Sequence, residues 1–440
     1  MFLLKSIEVI NHDKEILKAT FTEKDKEDRE KPFSTLILGE NGTGKSFLLK
    51  TIADIFIYLD KAQMGGKPKY KYEKFSIEYF LNCDEYEIDR VSGKGIVCKK
   101  NGVISSIEEM KLPTNVLAVS FMVNDKFLFI DPSQNEEGMY RYLGVRKSTN
   151  ATYTSSVISN VRKSVVQILN DGLVTELEKV LSVLHFDTKI EIEFGNITKN
   201  KKKNIVTKEC IDCSSEREKA PFDEILIKGN KLSNLIAHGK VSPVDISFYK
   251  RGEKINFEDC SSGEKHMIFA FSDILNGISD NSLILIDEPE ISLHPEWQIQ
   301  YISLLKKVFG KYRGCHFILA SHSHYLVSDL EKETSSIITL SSNGKNNTPR
   351  AELLTYSTYA WSAENIIYNV FGLRTTRNYY FESDLRMLLS LIQGDEHENA
   401  QVAKISELIT KLKKYIYNED DPLFVIIKQA EEFMRCIQSS

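Results

Sequence analysis

The chain has 440 residues, 42% of them hydrophobic, which is enough to bury a sizeable core and more than one simple domain requires. A formal net charge of −5 is small for this length and excludes a generally basic nucleic-acid binder, while seven scattered cysteines argue for reduced thiols rather than a disulfide framework. No uncharged apolar span of eighteen residues occurs, and the N-terminus alternates as a strand does, so the expectation is a cytoplasmic protein with no membrane partner.

Residues 3–10 and 16–21 predict two short strands around the turn Asn11-His12-Asp13, and the charged stretch 22–31 predicts a loop. The apolar run Thr35-Leu36-Ile37-Leu38 then leads into Gly39-Glu40-Asn41-Gly42-Thr43-Gly44-Lys45-Ser46, and Phe47, Leu48, Leu49, Ile52, Ile55, Phe56 and Leu59 follow at helical spacing. That order of strand, loop and helix is the context the phosphate-binding pattern G-x-x-x-x-G-K-[ST] needs. Gly39, Gly42 and Gly44 let the loop curl, with Asn41 and Thr43 between them, so that backbone amides and the positive end of the helix face one anionic centre. Lys45 would reach the terminal phosphates of ATP, and the Ser46 hydroxyl would sit on Mg²⁺. The alternative, a glycine-rich turn before an ordinary helix, is weakened by the flanking strand and helix.

After a Lys- and Gly-containing connector, runs at 75–80, 86–91 and 96–100 predict an antiparallel subdomain, and 116–121 is a continuous apolar run of the kind found in strands covered on both faces. Residues 156–186 carry apolar positions near helical spacing, and 189–194 is strand-like. Lys199, Lys201, Lys202 and Lys203 form a basic cluster that reads as a solvated loop. Cys210 and Cys213 have metal-ligand spacing but no second such pair nearby, so they read as plain thiols rather than zinc ligands.

Two further stretches carry chemistry. Ser261-Ser262-Gly263-Glu264 precedes a helical run over 265–275, and a small-residue turn at a helix N-terminus is a second anion site with Ser261 and backbone amides as donors. Leu283-Ile284-Leu285-Ile286-Asp287-Glu288-Pro289 is an apolar strand ending in two carboxylates. Asp287 would hold Mg²⁺ through water, and Glu288 would orient or deprotonate an attacking water. A third strand, 316–320, delivers Ser321-His322-Ser323-His324, where His322 is favoured over His324 by position as a hydrogen-bond partner of the γ-phosphate. Beyond it lie one convincing strand, 336–340, and helices near 363–371, 383–392, 402–417 and 423–437.

Together these pieces resemble the ABC-type ATPases of the soluble SMC, RecF and OLD-like branch, with Walker A at 39–46, the signature at 261–264, Walker B at 283–288 and a switch histidine at His322. The fold implied is an α/β head: a mostly parallel core sheet, an antiparallel β subdomain, a helical signature lobe and a helical C-terminal extension. The expected division is a head over 1–340, with an insertion at about 125–258, and a helical region over 341–440. In that family Ser261, Ser262 and Gly263 complete the ATP site of another copy, which implies a head-to-tail homodimer or a larger homo-oligomer. Asn124 stands where the family usually has a glutamine after the strand 116–121, and is the expected substitute at the metal.

The stretches 124–127, 142–146 and 371–378 also resemble the ATPase subunit of Septu-type antiphage systems, which work with an HNH nuclease. No D-x-D pair follows Ala320 and no HNH-like histidine cluster occurs, so any nuclease acting on DNA or RNA is expected in trans. No heptad-patterned arm fits between Lys45 and Ser261, which excludes full-length SMC architecture. The second functional reading is a RecF- or SMC-like repair ATPase that binds DNA directly. A transporter subunit would need a membrane partner and a much shorter tail.

Overall fold

The computed structural model describes the chain except for residues 24–30, 123, 131–137, 147–152, 198–202, 215–220, 328–329, 332, 343–348, 357, 360, 372–377, 394–398, 416–421 and 440. Most of the loop expected over 22–31, the basic cluster up to Lys202 and most of the Septu-like stretch 371–378 lie outside the described residues.

The centre is a seven-stranded sheet built from β3 (Phe33–Gly39), β8 (Val116–Ser120), β9 (Tyr140–Gly144), β16 (Leu283–Asp287), β17 (His316–Ser321), β18 (Ser335–Ser342) and β19 (Pro349–Leu353), in the order β19-β18-β3-β17-β16-β8-β9. Every pairing is parallel except β18 with β19, so the carboxyl ends of β3, β17, β16 and β8 share one edge. These strands read as unbroken apolar runs because both faces are covered. One face, with Leu283, Leu285, Ile318 and Ala320, shares a core with the first helix, α1 (Lys45–Gln63). The other meets α5 (Ser262–Gly277) and α6 (Pro295–Phe309): Leu117 lies against Gly277, and Phe317 packs on Phe309 at 5.5 Å between ring centroids.

A second sheet, antiparallel, runs β2 (Lys14–Thr20), β1 (Phe2–Asn11), β4 (Lys74–Leu81), β5 (Asp84–Val91), β6 (Gly95–Lys100) and β7 (Val103–Ser105). It covers the outer side of α1, where Phe56 meets Phe2 at 5.8 Å and Tyr79 at 6.0 Å. Caught between two sheets, α1 is apolar nearly all round, with Leu48, Leu49, Ile52, Ile55, Phe56 and Leu59 all buried. The predicted antiparallel subdomain is therefore one sheet with the two N-terminal strands.

Between β9 and α5 lie α2 (Tyr153–Asn170), α3 (Val174–Val183), a four-stranded sheet of β11 (Lys203–Asp212), β10 (Lys189–Ile197), β14 (Ser242–Lys250) and β15 (Glu253–Asn256), the hairpin β12 (Leu226–Ile227) with β13 (Asn230–Lys231), and α4 (Leu232–Ala237). The region expected as an insertion from about residue 125 thus contains β9, which the fold gives to the core sheet. Cys210 and Cys213 are free thiols, and burial pushes the Cys213 thiol up to about 12.

The chain divides between Ile366 and Ile367, past the expected boundary at 340, because β18 runs on to Ser342 and pairs with β19. After α7 (Ala363–Asn369), the second unit contains α8 (Tyr379–Ile392), α9 (Asn399–Lys413) and α10 (Pro422–Ser439) around their own core of Leu385, Leu388, Ile405, Leu408, Leu412 and Ile427. Among the described residues no helix is long and apolar enough to cross a membrane.

Candidate nucleotide site

β3 ends at Gly39, where an added Cβ would collide with the Leu340 carbonyl oxygen of β18. The loop then turns through Gly42 and Gly44 at φ +82° and +102°, a region closed to most side-chain-bearing residues, and Asn41 is exposed at its rim. The Thr43 hydroxyl donates to the Glu40 carbonyl at 2.8 Å and braces the loop. Gly44 is the N-cap of α1, and among the described residues no side chain caps the first amides of that nineteen-residue helix. Lys45 is buried, and its ammonium donates to the carbonyls of Gly39 at 2.8 Å and Glu40 at 3.2 Å. Burial lowers its pKa, against the opposing fields of Glu288, Glu290 and Asp287.

β16 brings Asp287 beside this loop, and the Ser46 hydroxyl donates to its Oδ1 at 2.9 Å. Burial pushes the Asp287 carboxyl up to about 6, the Ser46 hydrogen bond working the other way. The next residue, Glu288, sits at φ +53° with its amide tied to the Ala320 carbonyl at 2.9 Å. That left-handed turn separates two adjacent carboxylates, so Asp287 meets Ser46 while Glu288 Oε1 lies 2.9 Å from His322 Nε2. His322 directly follows β17, and its ring nitrogens lie 2.9 and 3.1 Å from the Lys45 ammonium. His324 packs its ring on Tyr325 instead.

Ser261 caps α5 in a reciprocal capping box with Glu264: the Glu264 amide donates to Ser261 Oγ at 3.3 Å, and the Ser261 amide donates to Glu264 Oε2 at 2.7 Å. Ser261 and Ser262 are exposed, while Gly263 is buried against the Ser292 carbonyl and Trp297. Among the described residues, no hydrogen bond joins 261–264 to the loop 39–46 of the same chain.

These residues fit the groups the motifs imply. The uncapped amides of α1 and the Lys45 ammonium suit a polyphosphate. Among the described residues no cage of three or more His, Cys, Asp or Glu forms. The Ser46–Asp287 pair suits Mg²⁺, which keeps waters and phosphate oxygens as its remaining ligands.

A family model described as "AAA domain, putative AbiEii toxin, Type IV TA system" matches residues 189–328, which hold the signature, Asp287, Glu288 and His322. The chain is similar to the "Retron Vc95 probable ATPase" of Vibrio cholerae serotype O1 biovar El Tor, 24% identical over 401 residues, covering 76% of this chain and 73% of that protein. It is also similar to the Septu protein PtuA of Bacillus thuringiensis, 27% identical over 214 residues, covering 45% of this chain and 52% of PtuA. Among solved structures it aligns with the SMC head domain from Thermotoga maritima at 13% identity, covering 80% of this chain and 99% of that one with a TM-score of 0.40. The chain is an ATPase that resembles the retron ATPase and PtuA.

Two residues beside the candidate site escaped the sequence analysis. Glu290 Oε1 accepts the His322 amide at 2.5 Å, and burial raises its pKa. Its signal was a third carboxylate after β16, two residues past Glu288. The second is Asp125. Asn124, the expected substitute for glutamine, is exposed, whereas the neighbouring Asp125 turns a fully buried side chain inward. Asp125 accepts the Tyr142 hydroxyl at 2.5 Å and the Phe127 amide at 2.9 Å, with Arg146 at 3.5 Å. It lies close enough to Asp287 to raise that residue's pKa. The pairing of β8 with β9 brings Asp125 and Tyr142 together, which spacing in the chain does not reveal.

Proposed function

We propose that this ATPase is the regulatory subunit of an antiphage defence complex, in which a head-to-tail homodimer or larger homo-oligomer gates a separate HNH nuclease acting on DNA or RNA. The observation that carries the ATP-hydrolysing part of the reading is the chain Lys45–His322–Glu288 beside the Ser46–Asp287 pair, at the shared edge of β3, β17 and β16.

In this mechanism the α1 amides and Lys45 bind the terminal phosphates of ATP. Glu288 takes a proton from the attacking water while the new bond to the γ-phosphorus forms and the bond to the leaving oxygen of ADP breaks. His322, held against Glu288 and positioned by Glu290, is the hydrogen-bond partner of the transferred phosphate. Mg²⁺, held by Ser46 and Asp287, neutralises phosphate charge when bound. Exposed Ser261 and Ser262 on a second copy complete the site in trans, in line with the absence of a described hydrogen bond between signature and loop within one chain. The defence context is supported by the resemblance to the Septu protein and the retron ATPase.

The test is co-purification of the tagged protein with its untagged genomic neighbour, with mass determination with and without ATP. A small nuclease partner whose activity changes with ATP supports the reading. A lone dimer that binds DNA replaces it with a repair ATPase.

A further inference from the structure

One buried histidine joins the signature helix to the loop that carries Glu288. His266 lies on α5, two turns or less from Ser261, and is 3% exposed. Its Nδ1 is 2.7 Å from the Ile291 carbonyl oxygen, and its ring stacks on Phe121 with centroids 4.3 Å apart and planes 9° from parallel. Phe121 directly follows β8, and Ile291 belongs to the loop 288–292 after β16. A carbonyl only accepts, so Nδ1 carries the hydrogen. Burial holds the His266 pKa down at about 4, which keeps the imidazole neutral at physiological pH.

The loop it meets is held in a disfavoured shape. Glu288 and Ser292 both have left-handed backbones, at φ +53° and +64°. Such residues persist only where the surroundings over-determine them. Here Ala320 holds the Glu288 amide, Glu290 holds the His322 amide, and Gly263 leaves room for the Ser292 carbonyl, which an added Cβ would approach to 2.6 Å. His266 supplies the one described side-chain donor to this loop from α5.

We infer that His266 is a positioning residue for ATP hydrolysis: its Nδ1–H fixes the loop 288–292, and hence Glu288, from the signature helix, while its ring ties that loop to the end of β8. The inference rests on the reading of Glu288 as the base. In a head-to-tail dimer the same link would make Glu288 respond to whatever engages Ser261 on its own chain.

The test compares full-length wild type, H266F, H266N and F121L in Mg²⁺-dependent ATP turnover, binding of a fluorescent ATP analogue, and thermal melting. H266F keeps an aromatic ring on Phe121 and removes the donor, whereas H266N keeps an amide donor near the Nδ1 position. Expected are nucleotide affinities within about twofold of wild type, a kcat lowered at least roughly tenfold in H266F, and a kcat within about threefold of wild type in H266N. Wild-type kcat in H266F overturns the inference, as does H266N turning over as slowly as H266F while melting like wild type. Should H266F not fold, F121L decides: a kcat reduced by about threefold or more at unchanged affinity supports the link, and an unchanged kcat overturns it. A wild-type protein that does not hydrolyse ATP would overturn the ATPase mechanism itself, independently of His266.

Discussion

The Ser46 hydroxyl donates to Asp287 at 2.9 Å although 241 residues separate them in the chain. The pair is the structural form of the Mg²⁺ proposal, since a hydroxyl and one carboxylate are what this cation takes from a protein that supplies it with phosphate and water as well. D287N should lower ATP turnover at least about 100-fold, and S46A should raise the Mg²⁺ concentration needed for half-maximal rate. Turnover in D287N within a few-fold of wild type at saturating Mg²⁺ would remove Asp287 from the metal site.

Glu288 separates catalytic role from fold because its backbone is left-handed. E288Q should slow hydrolysis by at least roughly two orders of magnitude while ATP stays bound. E288G should be equally inactive yet no less stable, and more stable by up to about 1 kcal/mol, because glycine adopts this φ without a Cβ clash. A denaturant titration of E288G showing a clear loss of stability would mean that the carboxylate–His322 contact outweighs the backbone term.

Dimerisation around ATP can be read from mixing two inactive variants. K45A should lose ATP affinity, and S261R should block the exposed cap of α5. If each site takes Walker A from one copy and the signature from the other, a mixed dimer has one doubly damaged site and one intact site. Equal mixing should then restore roughly a quarter of wild-type turnover. No recovery on mixing, with dimers formed, would argue for sites complete within one chain.

Asp273, which is buried on α5 and accepts the Ser164 hydroxyl of α2 at 2.5 Å, should contribute to the pH dependence of stability. Burial raises its carboxyl from 3.8 to about 6. The folded value lies above the unfolded one, so its stabilising contribution is present below pH 3.8 and is lost as pH rises through about 6. Above that the buried charge works against the fold by an amount on the order of 3 kcal/mol. D273N should therefore melt a few degrees above wild type at pH 8, with the difference shrinking as pH falls through about 6 and vanishing below pH 3.8. Equal melting at both values would show that Asp273 remains solvated or paired.

The core strands of this ATPase were legible because they are buried on both faces and so carry unbroken apolar runs: 35–38, 116–121, 283–286 and 316–320 all fall in or extend the central sheet. The edge strands β9 and β19 were not seen. β9 has an irregular burial pattern, and β19 alternates only between half-buried and exposed positions over five residues, so neither carries a run of buried residues. The boundary expected at 340 went with β19, since a strand that cannot be read cannot extend a domain.

What the sequence by itself determined was the chemistry that one short segment must perform alone. A phosphate loop needs its glycines, lysine and hydroxyl within eight residues, because backbone torsions and a helix terminus act over a few ångströms along the chain. Only the tertiary structure decided that Glu290 holds the His322 amide, that Asp125 rather than Asn124 turns inward, and that His266 meets Ile291 and Phe121. Each of these contacts exists because β8, β16 and β17 lie side by side and α5 packs over them. Which strands neighbour one another depends on how the whole core is buried, and no local pattern of residues carries that information.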